Sequence, residues 1–103
     1  MVDMNWWKQA KGQMTSNQQD FFDKVDAAPK ETLFIVDFFM PQCHYCVEFM
    51  PSWNKIVDEF KAEYGDKIQF LKVDGVADRY TADQYRISSF PSFIALEPGT
   101  FGD

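Results

Sequence analysis

The sequence predicts an α/β domain, and three observations carry that prediction. Short runs rich in β-branched and aromatic residues, at 32–40, 68–73 and 92–96, have the length and composition of strands. Between and before them lie segments whose apolar residues recur at three- and four-residue steps, the period of one helix face. The two kinds of segment alternate, which is the order of a sheet with helices packed on it. Parallel strands joined by right-handed crossovers are the expected topology.

The bulk properties are consistent with this. A chain of 103 residues makes one domain with one modest core. Eleven phenylalanines and a hydrophobic content of 46% make it globular rather than disordered. A net charge of −6 argues against nucleic-acid binding, which needs a basic face. No apolar run approaches the roughly 20 residues of a membrane span. Residues 1–14 are mixed and polar rather than a secretory signal, which does not fix the compartment.

Taken in order, residues 1–14 read as an N-terminal arm, either a short helix or irregular, with the domain proper at 15–103. Trp6 and Trp7 either cover core edges or form a contact surface. Thr15, Ser16 or Asn17 can cap a helix whose apolar side is Phe21, Phe22 and Val25, running through Ala28. Pro29-Lys30-Glu31 breaks it, and 32–40 is the central strand. A longer helix follows at about 44–64, with Phe49, Met50, Trp53, Ile56, Val57, Phe60 and Tyr64 on its apolar stripe. Pro51 should bend it and Gly65 end it. The strand at 68–73 closes on the Asp74-Gly75 turn, and a short helix spans 78–86. Ser88-Ser89-Phe90-Pro91 is a turn, 92–96 the last strand, and 97–100 a further turn.

The chemistry concentrates at Cys43-His44-Tyr45-Cys46, which holds the only cysteines. Cys43 stands where a strand hands over to a helix, and Cys46 lies about one turn further in. A helix N-terminus carries partial positive charge and unpaired N–H groups, which favour a thiolate. The spacing lets the second sulfur close a small ring, so the pair can cycle between dithiol and disulfide through a mixed disulfide. A static disulfide or half of a metal site are the alternatives. Two cysteines and one histidine fall one ligand short of a closed zinc site.

The segment from Phe38 to Cys46 resembles the aromatic–Pro–Trp–Cys-x-x-Cys active site of the thioredoxin superfamily, and of protein-disulfide-isomerase catalytic domains in particular. Asp37, six residues before Cys43, falls where that family keeps a buried acid. Pro51 matches its helix-kinking proline, Lys72 a lysine near the acid, and Phe90-Pro91-Ser92 the loop whose proline is cis. The chain departs from the pattern at Gln42, where the family has tryptophan, at Val47, where it has a basic residue, and in the His44-Tyr45 dipeptide. The family's first strand is not recognisable in residues 1–14, and its final strand and helix are absent. An incomplete domain is therefore expected, with Phe93 or Ile94 short of cover. That cover could come from the tryptophan arm or a second copy, and self-association through the C-terminal edge is a consequence.

The resemblance implies a thioredoxin-like fold, a central sheet flanked by helices, and a thiol–disulfide oxidoreductase or isomerase acting on protein cysteines without a cofactor. Cys43 is then the nucleophile, the more accessible sulfur, and Cys46 the resolving thiol. Asp37 lies behind Cys46 as its proton acceptor, with a pKa raised by burial, unless it is an ordinary solvated strand aspartate. Lys72 either pairs with Asp37 or is an exposed strand lysine. His44 either stabilises the Cys43 thiolate or is an exposed loop residue. Pro91 presents backbone groups to an extended substrate segment. Phe90, Tyr45 and Gln42, with Phe39 and Met40, form a rim for it unless some are core residues. A thioredoxin-like binding module with little turnover is the alternative function. The resemblance leans toward the endoplasmic reticulum or another secretory compartment, with the cytoplasm as alternative.

Overall fold

A computed structural model describes residues 5–97. Its four strands are β1 (Gln13–Thr15), β2 (Leu33–Phe39), β3 (Ile68–Asp74) and β4 (Ser92–Leu96), and its helices α1 (Gln18–Ala27), α2 (His44–Tyr64) and α3 (Arg79–Gln84). They form one mixed sheet in the order β1-β3-β2-β4. β1 and β2 both run parallel to β3, while β4 is antiparallel to β2. The expected all-parallel sheet is thus corrected at β4. Its five residues, Ser92–Leu96, carry no sequence signal for direction, which is set by the side from which the Phe90-Pro91 turn delivers them.

β1, not recognisable in the sequence, lies across residue 14. Three residues, Gln13-Met14-Thr15, are too few to show alternation, and the strand exists through its pairing with Leu71, Lys72 and Val73. Gly12 leads into it with φ 111°, and a Cβ there would sit 3.2 Å from the Phe70 carbonyl oxygen. Only glycine holds that conformation without strain.

The helix ends follow from local chemistry. Asn17 caps α1 by accepting from the Asp20 N–H at 2.8 Å. Asp78 caps α3 in the same way through Thr81. The third helix stops at Gln84 rather than reaching residue 86, because Arg86 turns into the left-handed region at φ 58°. Pro51 lies inside α2, where it offers no N–H to the preceding turn.

Two apolar layers sandwich the sheet. Phe21 of α1, Val36 and Phe38 of β2, Leu71 and Val73 of β3 and Ala82 of α3 make one. Trp53 and Val57 of α2, Phe39, Phe70 and both cysteines make the other, together with Trp6 and Ala10 of the arm. Alternation along β2 and β3 puts Asp37 and Lys72 on this second face. The distal end of the α2 stripe is half open. Phe60 and Tyr64, expected in the core, are 40% and 48% exposed, and they flank a groove with Leu33, Ile35 and Ile68.

The arm does not cover β4. Trp6 is buried edge-on against Phe39 at 5.5 Å, and Trp7 stacks on the same ring at 6.0 Å. Phe93 is instead stacked on Trp53 at 5.6 Å and remains 41% exposed. The turn expected at 97–100 extends outside the described residues.

Candidate active site

Cys43 is the N-cap of α2, in extended conformation, and its sulfur accepts the Cys46 N–H at 3.1 Å. The sequence brings this about simply: Pro41 ends the strand run, and Cys43 then starts the helix, with its N–H donating to the Met40 carbonyl oxygen at 3.1 Å. Cys43 and Cys46 are joined as a disulfide, with their Cα atoms 5.2 Å apart. The two residues are equally buried, each 4% exposed, so the expected difference in accessibility is not seen in this oxidised form. Reduction would place a thiolate at Cys43 against the open N–H groups of the first turn.

Asp37 is 6% exposed and its Oδ1 has no hydrogen-bond partner. Burial pushes its carboxyl up to about 7, against a smaller opposing pull from Lys72. Near neutral pH such a group both accepts and returns a proton. Lys72 is the Cα partner of Asp37 on β3 and is itself buried at 5% exposure. Burial holds its ammonium below the ordinary lysine range, with Asp37 opposing. The ammonium donates to the backbone oxygens of Trp7 at 3.0 Å and Ala10 at 2.7 Å, and it forms no ion pair with Asp37.

His44 lies at the surface, 71% exposed at its side chain, with Nε2 3.1 Å from Glu48 Oε1 one turn along the helix. Tyr45 is exposed as well, and Gln42 beside the disulfide faces solvent. Phe39 is a core residue rather than part of a rim, since the Trp6 and Trp7 rings bury it from the arm side. The Phe90–Pro91 peptide bond is cis.

Three contributors escaped the sequence reading. Trp6 donates its indole N–H to the Pro41 carbonyl oxygen at 2.9 Å, fixing the turn before Cys43. Ala10 supplies a carbonyl to Lys72, a role that no side-chain pattern encodes. Gly75, expected only as a turn residue, donates to the Phe39 carbonyl oxygen at 2.8 Å and lies under the Phe90 ring. A Cβ on Gly75 would stand 2.4 Å from that ring, so the glycine seats the loop that carries Pro91. Among the described residues, no group of three or more His, Cys, Asp and Glu side chains converges as a metal site would need.

A family model described as Thioredoxin matches residues 12–102. The chain belongs to the thioredoxin family. As a thioredoxin domain it is 28% identical over 98 residues to mouse protein disulfide-isomerase A6, covering 89% of this chain and 22% of that one. It is 30% identical over 73 residues to the thioredoxin of Bacillus subtilis, covering 71% and 66% of the two chains. The chain thus spans about a fifth of the disulfide isomerase (22%) that it matches. Among solved structures, Fasciola hepatica thioredoxin superposes with a TM-score of 0.72 at 23% identity, covering 84% of this chain and 78% of that one. The first thioredoxin domain of mouse protein disulfide-isomerase A4 gives 0.69 at 24% identity, covering 81% and 56%. These two show the shared fold, including a sheet flanked by helices, on which the cysteine pair of this thioredoxin domain sits.

Proposed function

We propose that this domain is a thiol–disulfide oxidoreductase or isomerase acting on protein cysteines. The observation that carries the reading is the cysteine pair itself: Cys43 at the N-cap of α2, bonded to Cys46 on the face that also holds the buried Asp37. In the reducing direction the Cys43 thiolate attacks one sulfur of a substrate disulfide. A Cys43–substrate bond forms as the substrate S–S bond breaks, and the departing sulfur leaves as a thiolate. The Cys46 thiol then gives its proton to the Asp37 carboxylate and attacks the Cys43 sulfur. The Cys43–Cys46 bond forms, the mixed disulfide breaks, and the second substrate thiolate leaves. The substrate gains two electrons and the domain loses them. The same steps reversed oxidise a dithiol, and attack followed by release without resolution isomerises.

Pro91 and Phe90, with exposed Tyr45 and Gln42, are the positions at which an extended segment would be held beside the sulfurs. The relatives include a protein disulfide-isomerase, a bacterial thioredoxin and a chloroplastic thioredoxin from rice, so direction is read from the reduction potential against that of the compartment. The test is turnover of a model peptide disulfide together with refolding of a scrambled protein. Acceleration that needs both cysteines supports the reading. Binding of a partner without turnover overturns it in favour of a thioredoxin-like binding module.

His44 is proposed to tune the pair from outside. An imidazole next to the Cys43 thiolate stabilises the reduced form, but its exposure and the Glu48 carboxylate at 3.1 Å divert much of that effect. His44→Ala should raise the Cys43 thiol pKa and lower the reduction potential by less than about 30 mV, the equivalent of ~1.4 kcal/mol for two electrons. A thiol titration and a glutathione equilibrium would measure both, and no change in either returns His44 to a plain surface residue.

A further inference from the structure

We propose that the arm of residues 5–12 is a positioning element of the redox site: its Trp7 and Ala10 carbonyls engage the Lys72 ammonium, so that Lys72 stands beside Asp37 without ion-pairing to it. The use of this arrangement rests on the thiol–disulfide reading above, but the arrangement itself does not. Asp37 and Lys72 are Cα partners on adjacent parallel strands and share one face of the sheet. Two buried opposite charges so placed would normally pair. Instead the ammonium donates to two backbone oxygens, at 3.0 and 2.7 Å, and Asp37 Oδ1 is left buried with no partner.

The other charges around Asp37 are engaged elsewhere. On α2, His44 and Glu48 face each other at the surface. On the arm, Lys8 lies over the Trp7 ring and Lys11 pairs with Asp58. Asp74, further along β3, accepts from the Val76 and Ala77 N–H groups, and the β4 partner of Asp37 is the apolar Phe93. Burial is the larger influence on the proton affinity of Asp37, Lys72 is the charge that opposes it, and the arm decides where Lys72 points. A carboxylate paired with a cation has its pKa lowered by about 1–3 units. Diverting the ammonium leaves the upward push of burial largely unopposed, so that Asp37 can take the Cys46 proton and return it near neutral pH.

The arm is strapped in place by contacts remote from the cysteines. Asn54 accepts from the Lys11 N–H at 2.7 Å and donates to the Gln9 carbonyl oxygen at 3.2 Å, which brackets Ala10. Trp53 donates to the Lys11 carbonyl oxygen at 2.7 Å. Removing the Asn54 and Asp58 side chains takes away three of the arm's ties and loosens the stretch that carries the Ala10 carbonyl, without touching Asp37, Lys72 or either sulfur.

The experiment is a carboxyl-carbon NMR titration of Asp37 in the full oxidised chain, in which neither cysteine titrates. In the parent protein the midpoint is expected at about 7. In Asn54→Ala/Asp58→Ala it should fall by about one unit or more, as the ammonium swings to the carboxylate. In a Lys72→Met background the same two changes should leave the midpoint where it was. An unmoved or raised midpoint on release of the arm overturns the proposal, as does an equal fall in the Lys72→Met background, which would mean water entry. Should the double variant not fold, Asn54→Ala alone carries the same comparison. Turnover measured on the parent protein separates the two ideas: an inactive parent sinks the redox reading and leaves the titration to judge the arm.

Discussion

A Cys46→Ser variant will accumulate covalent adducts with protein disulfides, and a Cys43→Ser variant will not. Only Cys43 stands at the N-cap of α2, where helix N–H groups stabilise a thiolate. Its sulfur is therefore expected to start the exchange. Cys46, one turn inside the helix, is placed to attack the Cys43 sulfur rather than a substrate. Without it the mixed disulfide has no internal way out and persists until an external thiol arrives. Turnover should drop to background in both variants, but only one of them should be found as a heavier, reducible band on a non-reducing gel. Equal trapping by both would reverse or dissolve the assigned roles.

The second large effect concerns stability and pH. Asp37 has its carboxyl raised to about 7, so the folded protein resists losing that proton. An unfolded aspartate releases it near pH 4, so the stabilising advantage of the protonated carboxyl is complete below about pH 4. It is lost as pH rises through about 7, and above that the buried carboxylate is a standing cost. Three pH units correspond to about 4 kcal/mol. Asp37→Asn carries no proton to lose. It should be the more stable protein above pH 8, by as much as about 4 kcal/mol, and should match the parent within ~1 kcal/mol at pH 4. Urea unfolding of the oxidised forms at both pH values measures the gap. A gap that does not grow with pH would mean that Asp37 is hydrated in the folded chain. The same substitution should slow release of mixed disulfides if, as proposed, Asp37 accepts the Cys46 proton.

What could be read in advance divides along physical lines. β4 was legible to the residue at Ser92–Leu96, and α2 at His44–Tyr64, because a short apolar run and a 3.6-residue stripe are properties of contiguous sequence. The cysteine pair was legible for the same reason. The direction of β4 and the existence of β1 were not, since both are set by partners distant in the chain. Nor was the state of Phe60 and Tyr64: a stripe says which way a side chain faces, and not whether anything lies opposite. Lys72 is the sharpest case. The resemblance placed it near Asp37, yet its actual partners are backbone oxygens of Trp7 and Ala10. Backbone acceptors are present at every residue and so leave no mark in sequence.

The arm also imposes an order of assembly. Its anchors span 35 residues to Pro41, 42 to Trp53, and 62 and 65 to Lys72. The cysteines, by contrast, are separated by only 3. Contacts of long span form after the intervening chain has collapsed, so the arm is expected to settle late, together with the β2–β4 pairing of similar span. Until then the Trp6 and Trp7 rings lack their seat on Phe39 and the Lys72 ammonium lacks its carbonyls. A nascent domain can thus close its Cys43–Cys46 bond long before it acquires the finished surroundings of Asp37. The tryptophans of the arm would brighten or dim only at that final step, which makes them a clock for its completion.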